Sequence, residues 1–397
     1  MNVYIITSVP FPNGMAATNR VKCYAKALSE EGVSCKILIF KRTEVRGKKS
    51  KNTQRESVWE GIPYLYMGKT SYRHSNIFIR KLSDFLDRFR LINYLRKNLC
   101  AGDIILGYCG VYIYFVNMLI DVTHKKRAKY VRDLCELPYV TSLTTKMAIK
   151  KRKAMFEKQF PKCDGIVAIS EALLELANKY KSPQTKTIKI PIMVDFNRFD
   201  MVDRSAEVEI PYIFHSGTLY EQKDGILGMI EAFGIAIQKY NRPLDFILTG
   251  QIEGSPHAVQ ISNLISKYHL EEHIHFVGYL NDKELRNYLS KASLVIINKY
   301  ITQQNQYCFS TKLAEYLAAE KVVIITNVGE AVHWLKDKES AYIVEPGDTE
   351  KLSESIIYAL ENRELSKKIA RGGKELCKRS FDYRCYGKIL LDFLKTC

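Results

Sequence analysis

Short apolar, β-branched runs alternate with helical patterns along the whole chain, and that alternation starts twice. In the first half NVYIIT (2–7), VSCKILIF (33–40), DIILGY (103–108), AKYVRDL (128–134) and DGIVAIS (164–170) read as strands. In the second, PYIFHSG (211–217), LDFILTG (244–250), HIHFVG (273–278), SLVIIN (293–298), KVVIIT (321–326) and AYIVE (341–345) repeat the pattern. Nearly continuous apolar strands suit parallel sheets covered on both faces, and strands alternating with helices supply that cover. The first helix shows the spacing plainly, with Val21, Tyr24, Ala25 and Leu28 on one face and Gly32 as a stop. The prediction is an α/β chain of two facing Rossmann-like domains with a deep interdomain cleft. At 397 residues the chain is also too long for one ordinary core. The joint falls at KIPIMVDFNRFD (189–200), followed by the charged stretch 201–209.

Several classes are disfavoured at once. The loop after the first strand carries Gly14 but no Gly-x-Gly-x-x-Gly, which argues against a dinucleotide-dependent enzyme. Ten cysteines include no Cys-x-x-Cys pair, and the eight histidines do not join them at zinc spacing, so reduced thiols are expected. The opening MNVYIIT lacks a basic start and reads as a buried strand rather than a secretory signal. No apolar run approaches the roughly 20 residues of a spanning helix, so a cytoplasmic chain is expected. The net charge of +17 calls for an anionic partner: nucleic acid, acidic lipid or a phosphate-bearing substrate.

Motifs in the second half narrow the choice. SGTLYEQKDGILGMIEAF (216–233), HFVGYLNDKELRNYLSKASLVII (275–297), FSTKLAEYLAAEKVVIITNVGE (309–330) and AYIVEPGDTEKLSESI (341–356) follow one another in a fixed order. DGIVAISEAL (164–173) and PIMVDFNRF (191–199) precede them. Together these segments resemble glycosyltransferase family 4, whose fold is GT-B and whose members are retaining enzymes. The resemblance implies an acceptor-binding domain over residues 1–195 and a nucleotide-sugar domain over 205–378. It also implies a last helix, 381–397, returning to the first domain through Tyr386, Ile389, Leu390 and Phe393.

The resemblance carries site residues with it. Gly217 and Thr218 match the phosphate-side turn, where the family usually has Gly-Arg. Lys223 matches the lysine that contacts the donor diphosphate, and there an ammonium would stabilise the leaving group's charge. Ser310, Thr311 and Leu313 match a helix start whose N–H groups face the diphosphate, with Phe309 and Lys312 beside them. Glu315 matches the glutamate that accepts hydrogen bonds from the ribose. The second glutamate that the family often has eight positions earlier is Tyr307 here. VRDLCELPY (131–139) resembles the segment that often reads Asp-x-His-Asp or Asp-x-His-Glu, so Asp133 and Glu136 become acceptor-side catalytic candidates and Cys135 replaces the histidine. In the first loop Gly14, Asn19 and Arg20 are acceptor-binding candidates. His215 reads as a packed residue. No Asp-x-Asp pair marks a metal site, and no cofactor is implied, because the nucleotide-sugar is a substrate.

Phe78, Leu82, Phe85, Phe89 and Ile92 recur at helical spacing among Arg80, Lys81, Arg88 and Arg90. A second basic helix spans 145–160, with Lys150, Lys151, Arg152 and Lys153 beside Phe156 and Phe160, and stretch 41–56 reads as an exposed basic loop. A solvated face over a core stripe is the plain reading. Because all three lie in the acceptor half, attachment to the inner face of an anionic membrane is favoured, with a glycan or lipid-linked acceptor. Two rivals remain. A GT-B nucleotide-sugar epimerase would need more acid–base groups than the sequence offers. A nucleic-acid binder would show a reader motif, and no nucleic acid is expected.

Overall fold

The computed structural model describes residues 1–47, 50–108, 110, 112–138, 145–200 and 209–397. Most of the charged stretch 201–209 that follows the expected joint, and Tyr139 of the 131–139 segment, therefore lie outside the described residues. The chain divides into two compact units, Met1–Met193 with Tyr383–Cys397, and Val194–Asp382.

Among its described residues the first unit holds ten strands: β1 (Asn2–Thr7), β2 (Ser34–Ile39), β3 (Glu44–Val45), β4 (Glu56–Trp59), β5 (Ile62–Tyr66), β6 (Tyr72–Arg73), β7 (Ile104–Tyr108), β8 (Lys129–Leu134), β9 (Gly165–Ala168) and β10 (Lys186–Lys189). Eight form one sheet in the order β10-β9-β8-β7-β1-β2-β5-β4, parallel except for the antiparallel β4–β5 pair. Val3, Ile5, Ile37, Leu106, Val131 and Val167 of the sheet pack in one core with Val21, Tyr24 and Leu28 of the helix Ala16–Glu30. The last helix, Gly387–Thr396, adds Leu390, Leu391, Phe393 and Leu394 to that core, and Tyr386 packs against it. Gly387 allows the approach, since a Cβ there would lie 2.8 Å from the Ala27 carbonyl oxygen. Ile389, expected on the packing face, is 46% exposed instead.

Two expectations in this unit need correction. The basic stretch 41–56 is not a plain exposed loop: Glu44 and Asn52 are buried. Asn52 Nδ2 donates to Glu44 Oε1 (2.9 Å) and to the Asn13 carbonyl (2.8 Å), while its Oδ1 accepts from Asn13 N (2.7 Å), which ties the stretch to the first loop. The helix Ile77–Asn98 forms where the spacing places it, but Phe78, Leu82, Phe85 and Phe89 face outward while Ser83 and Asp87 face in. Its inward polar face is satisfied by ion pairs from Arg42 Nε (2.7 Å) and Arg90 Nη1 (2.5 Å) to Asp87. Only its second half buries apolar residues, Leu91, Ile92 and Leu95.

The second unit holds β11 (Tyr212–His215), β12 (Asp245–Leu248), β13 (Ile274–Phe276), β14 (Leu294–Ile297), β15 (Val322–Thr326) and β16 (Tyr342–Val344). They form one all-parallel sheet in the order β13-β12-β11-β14-β15-β16. Chain order reverses between β11 and β14, and such a reversal opens a crevice at the carboxyl ends of both strands. Ile213, Phe246, Leu248, Leu294, Ile296 and Ile324 form the core with Met229, Ile230 and Phe233 of the helix Ile226–Tyr240. The capping box at Asn281 and Glu284 forms as its sequence predicts, with bonds of 3.0 and 2.7 Å.

Candidate active site

The switch point of the second unit carries a compact polar cluster. Leaving β11, the chain passes His215 and Gly217, then turns through Thr218 into the short helix Glu221–Asp224. Asp224 is buried, and one of its oxygens accepts from both Thr218 N and Thr218 Oγ1 at 3.0 Å. Its other oxygen accepts from the Lys312 ammonium. Burial alone would raise the Asp224 carboxyl, but Lys312 outweighs it and holds the group well below the usual carboxylate range. Burial pushes the Lys312 ammonium down, opposed by Asp224. Gly217 is obligatory: a Cβ there would lie 2.5 Å from His215 Nε2 and 2.9 Å from both Lys312 Nζ and Asp224 Oδ2.

His215 is fixed as a neutral ring. Its Nδ1 lies 2.9 Å from the Ile296 carbonyl, which can only accept, so Nδ1 carries the proton. Burial, aided by the Lys312 charge, pushes its pKa down to about 4. Nε2 is then a buried lone pair with no hydrogen-bond partner among the described residues.

Lys223 is exposed, and its helix is held from below. Lys299, buried just past the end of β14, donates through Nζ to the Lys223 carbonyl (3.0 Å) and to Asn305 Oδ1 (3.3 Å). Asn298 Nδ2 donates to the Gly225 carbonyl (2.9 Å). Three lysines, 223, 299 and 312, thus stand against two acids, Asp224 and Glu221, the latter accepting from Leu227 N, and the turn keeps a small surplus of positive charge.

The helix Thr311–Ala318 begins beside this cluster, and Ser310 at its N-cap makes no side-chain cap bond. Leu313 N donates to the Ser310 carbonyl at 3.1 Å, so that amide is engaged in the helix's own first turn rather than open to a ligand. Phe309 and Leu313 have buried side chains; Phe309 packs on Trp334 and Phe381, so both serve the core. Tyr307, half-buried, ends the helix Gln303–Tyr307. Glu315 accepts from Arg198 Nη1 at 3.2 Å, and Arg198 also pairs with Asp282. Burial would lower the Arg198 guanidinium, but Glu315 and Asp282 together raise it. The turn, Lys312 and the helix start are therefore brought together.

In the first unit the expected residues are engaged with one another. Arg20 and Asp133 are both buried and form an ion pair, Nη2 to Oδ1 at 2.9 Å. Arg20 also donates to the Pro191 carbonyl (2.7 Å) and the Ile190 carbonyl (3.1 Å), and Tyr24 OH donates to Asp133 (2.5 Å). Neither presents a free charged face, so an acceptor phosphate on Arg20 does not fit the geometry. Gly14 lies under Thr18, whose Oγ1 would be 1.9 Å from a Cβ there. Asn19 is half-buried in the first helix, and its N–H donates to the Met15 carbonyl (3.1 Å). Glu136 is exposed beyond β8, while Cys135 donates to Tyr108 OH at 3.3 Å, and burial raises its thiol, which keeps it protonated.

Asp224, Lys299, Asn305 and Arg198 were missed by sequence reasoning. Asp224 directly follows Lys223 and Arg198 lies in the quoted 191–199 segment, but only their partners give them a role. A further pocket of about 170 Å³ is lined by Thr218, Tyr220, Gly250, Gln251, Ser255 and Tyr279, at the carboxyl ends of β11, β12 and β13.

The two α/β units define a GT-B fold, shared with solved structures of known glycosyltransferases. Sucrose-phosphate synthase from Thermosynechococcus elongatus superposes with a TM-score of 0.73 at 16% identity, covering 99% of this chain and 98% of that one. HepE of Anabaena, solved in complex with UDP-glucose, gives 0.70 at 12% identity over all of both chains. Residues 198–376, most of the second unit, match the family described as Glycosyl transferases group 1. An uncharacterized glycosyltransferase of Methanocaldococcus jannaschii is 26% identical over 126 residues, which span 32% of this chain and 34% of that relative. The chain has the GT-B fold, and its second unit matches the group 1 glycosyl transferases.

Proposed function

We propose that the chain is a retaining glycosyltransferase of family 4, moving a hexose or aminohexose from a nucleotide-sugar to an acceptor met at an anionic membrane surface. The observation that carries this reading is the surplus of lysines around the Gly217 turn, at the switch point where α/β sheets bind phosphates. HepE, of the same fold, holds UDP-glucose, which supports a uridine diphosphate donor.

Lys223, exposed at the turn, contacts the diphosphate and stabilises the charge that grows on the leaving oxygen. Lys312 and Lys299 supply the field that an arginine at position 218 would otherwise give. Amides at the start of the helix Thr311–Ala318 add hydrogen bonds, and Glu315, oriented by Arg198, accepts from the ribose hydroxyls. The departing phosphate takes the acceptor's proton on the front face, so the reaction needs neither a strong base nor a divalent metal. Asp133 and Arg20 act by positioning the end of β8, and Glu136 is the acceptor-side carboxylate that remains exposed. The acceptor is a lipid-linked glycan or a surface polysaccharide precursor, in keeping with the basic first unit.

A release assay tests the reading. Nucleotide should appear from UDP-glucose only when an acceptor is added. A free-sugar isomer would mark an epimerase instead, and salt-sensitive oligonucleotide binding without turnover would mark a nucleic-acid protein.

A further inference from the structure

We infer that the first half of the helix Ile77–Asn98 is an interfacial anchor, seating its outward apolar stripe in an anionic lipid bilayer. This deepens the membrane part of the reading above and rests on it. Seven large apolar side chains, Ile77, Phe78, Ile79, Leu82, Phe85, Leu86 and Phe89, are exposed within thirteen residues, Phe78 at 77% and Phe85 at 63%. Single exposed hydrophobes are ordinary, but a continuous stripe of this length is not.

The helix cannot roll to hide the stripe. Asp87 on its opposite side is buried and bonded to Arg42, outside the helix, as well as to Arg90 within it, and a roll would tear that carboxylate from Arg42. At about 100° per residue, Phe78, Leu82, Phe85 and Phe89 fall within an arc of roughly 60°. Lys81 and Arg88 flank the arc on one side and Arg90 on the other, whereas both acids of the helix, Asp84 and Asp87, lie on its far half. A helix with an aromatic and aliphatic face edged by cations is suited to lie in the headgroup region.

Charge fixes the occupant as an anionic surface. The helix carries six basic residues against two acidic ones. The helix Lys146–Lys158 of the same unit carries six against one, with Met147 and Ile149 exposed. A second copy of so basic a face would be repelled, and a nucleic acid would leave the phenylalanines in water.

The test is co-sedimentation of the full chain with phosphatidylcholine vesicles and with vesicles containing about 30% phosphatidylglycerol, at about 0.1 M and about 1 M salt. Anionic vesicles should bind the protein, and a fraction should stay bound at high salt, since apolar insertion is not screened. The Phe78→Ser/Phe85→Ser/Phe89→Ser variant changes only exposed positions. It should keep the thermal melt and the binding of UDP-glucose while losing the salt-resistant fraction, a drop of roughly a hundredfold in partition. Complete release of the parent at high salt would reduce attachment to charge alone and overturn the anchor. So would a triple variant that binds like the parent, or a vesicle-free dimer that the variant abolishes. Salt-resistant vesicle binding without UDP-glucose binding would instead sink the transferase reading and leave the anchor standing.

Discussion

Replacing Lys312 by Met removes the ammonium from a carboxylate that is 2% exposed at its side chain, while the methionine keeps most of the buried stem. Asp224 then keeps the two 3.0 Å bonds from Thr218 but only the longer-range attraction of Lys299, so its charge is poorly compensated in a buried site. Removing one partner of a buried pair costs about 3–5 kcal/mol, whereas replacing both by neutral groups is close to neutral. Lys312→Met should therefore lower the unfolding free energy of the second unit by about 3 kcal/mol, discounted because Lys312 is partly exposed. Adding Asp224→Asn should restore most of that loss, because the amide oxygen still accepts from Thr218. The two single variants and the double form a cycle, read by urea unfolding at neutral pH, in which the coupling should exceed about 1.5 kcal/mol. Activity should behave differently: the double variant should fold well yet still turn over poorly, because the donor phosphates have lost a cation. A coupling near zero would refute the pairing, and full activity in the double variant would refute the assignment of Lys312 to the donor site.

Lys223→Ala should depress kcat by roughly 10²–10³ with little change in donor KM, while Glu315→Gln should chiefly weaken donor binding, by about 1.5–3 kcal/mol; steady-state kinetics against donor separates the two. His215 should make the fold acid-sensitive. Its folded pKa of about 4 lies below its ordinary 6.5, so the unfolded chain binds a proton that the folded chain refuses between those values. Stability should then fall by about 3 kcal/mol as pH drops through that window, and His215→Asn should flatten the slope seen in melts from pH 7 to pH 4. Turnover should survive a chelator and gain nothing from magnesium or manganese; loss on chelation with rescue by metal would overturn leaving-group stabilisation by lysines alone.

The sheets were legible because a strand buried on both faces must be apolar, and β11 to β16 stand within a few residues of their apolar runs. The hairpin of β4 and β5 was not. Its two-residue turn is Glu60-Gly61, both at positive φ, and glutamate there gives none of the signal that Asn or Asp would. The stripe on Ile77–Asn98 was legible as a helix but not as an outward face. Spacing says which residues share a side, while the partner of the inward side, Arg42, lies 45 residues from Asp87. The same limit applied to Arg20 and Asp133, which pair across 113 residues. Resemblance pointed to Gly217, Lys223 and the helix start at Ser310, whereas Asp224 and Lys299 join that cluster through contacts that no local pattern encodes.

The absent arginine at position 218 shows how the site redistributes its charge. Thr218 spends both its N–H and its hydroxyl on Asp224, which fixes the carboxylate that in turn holds Lys312. Lys299 lies buried behind the same turn with its ammonium bonded to a carbonyl and an amide oxygen, both neutral. Asp224, the carboxylate that attracts it, is already bonded to Lys312, and the fold tolerates two buried ammoniums on one buried acid only where other contacts outweigh the cost. On the proposed reading, a donor diphosphate at the turn would add negative charge beside these lysines and offset part of that cost. The cations also reach the turn from three separate elements, and the ammoniums of Lys299 and Lys312 are already held by hydrogen bonds, so little reorganisation of those two is left when charge develops. On this reading Lys299 is a positioning residue that acts through the Lys223 carbonyl. Lys299→Met should then loosen the turn and weaken donor binding, whereas Lys299→Arg, too large for the Asn305 contact, should not rescue it.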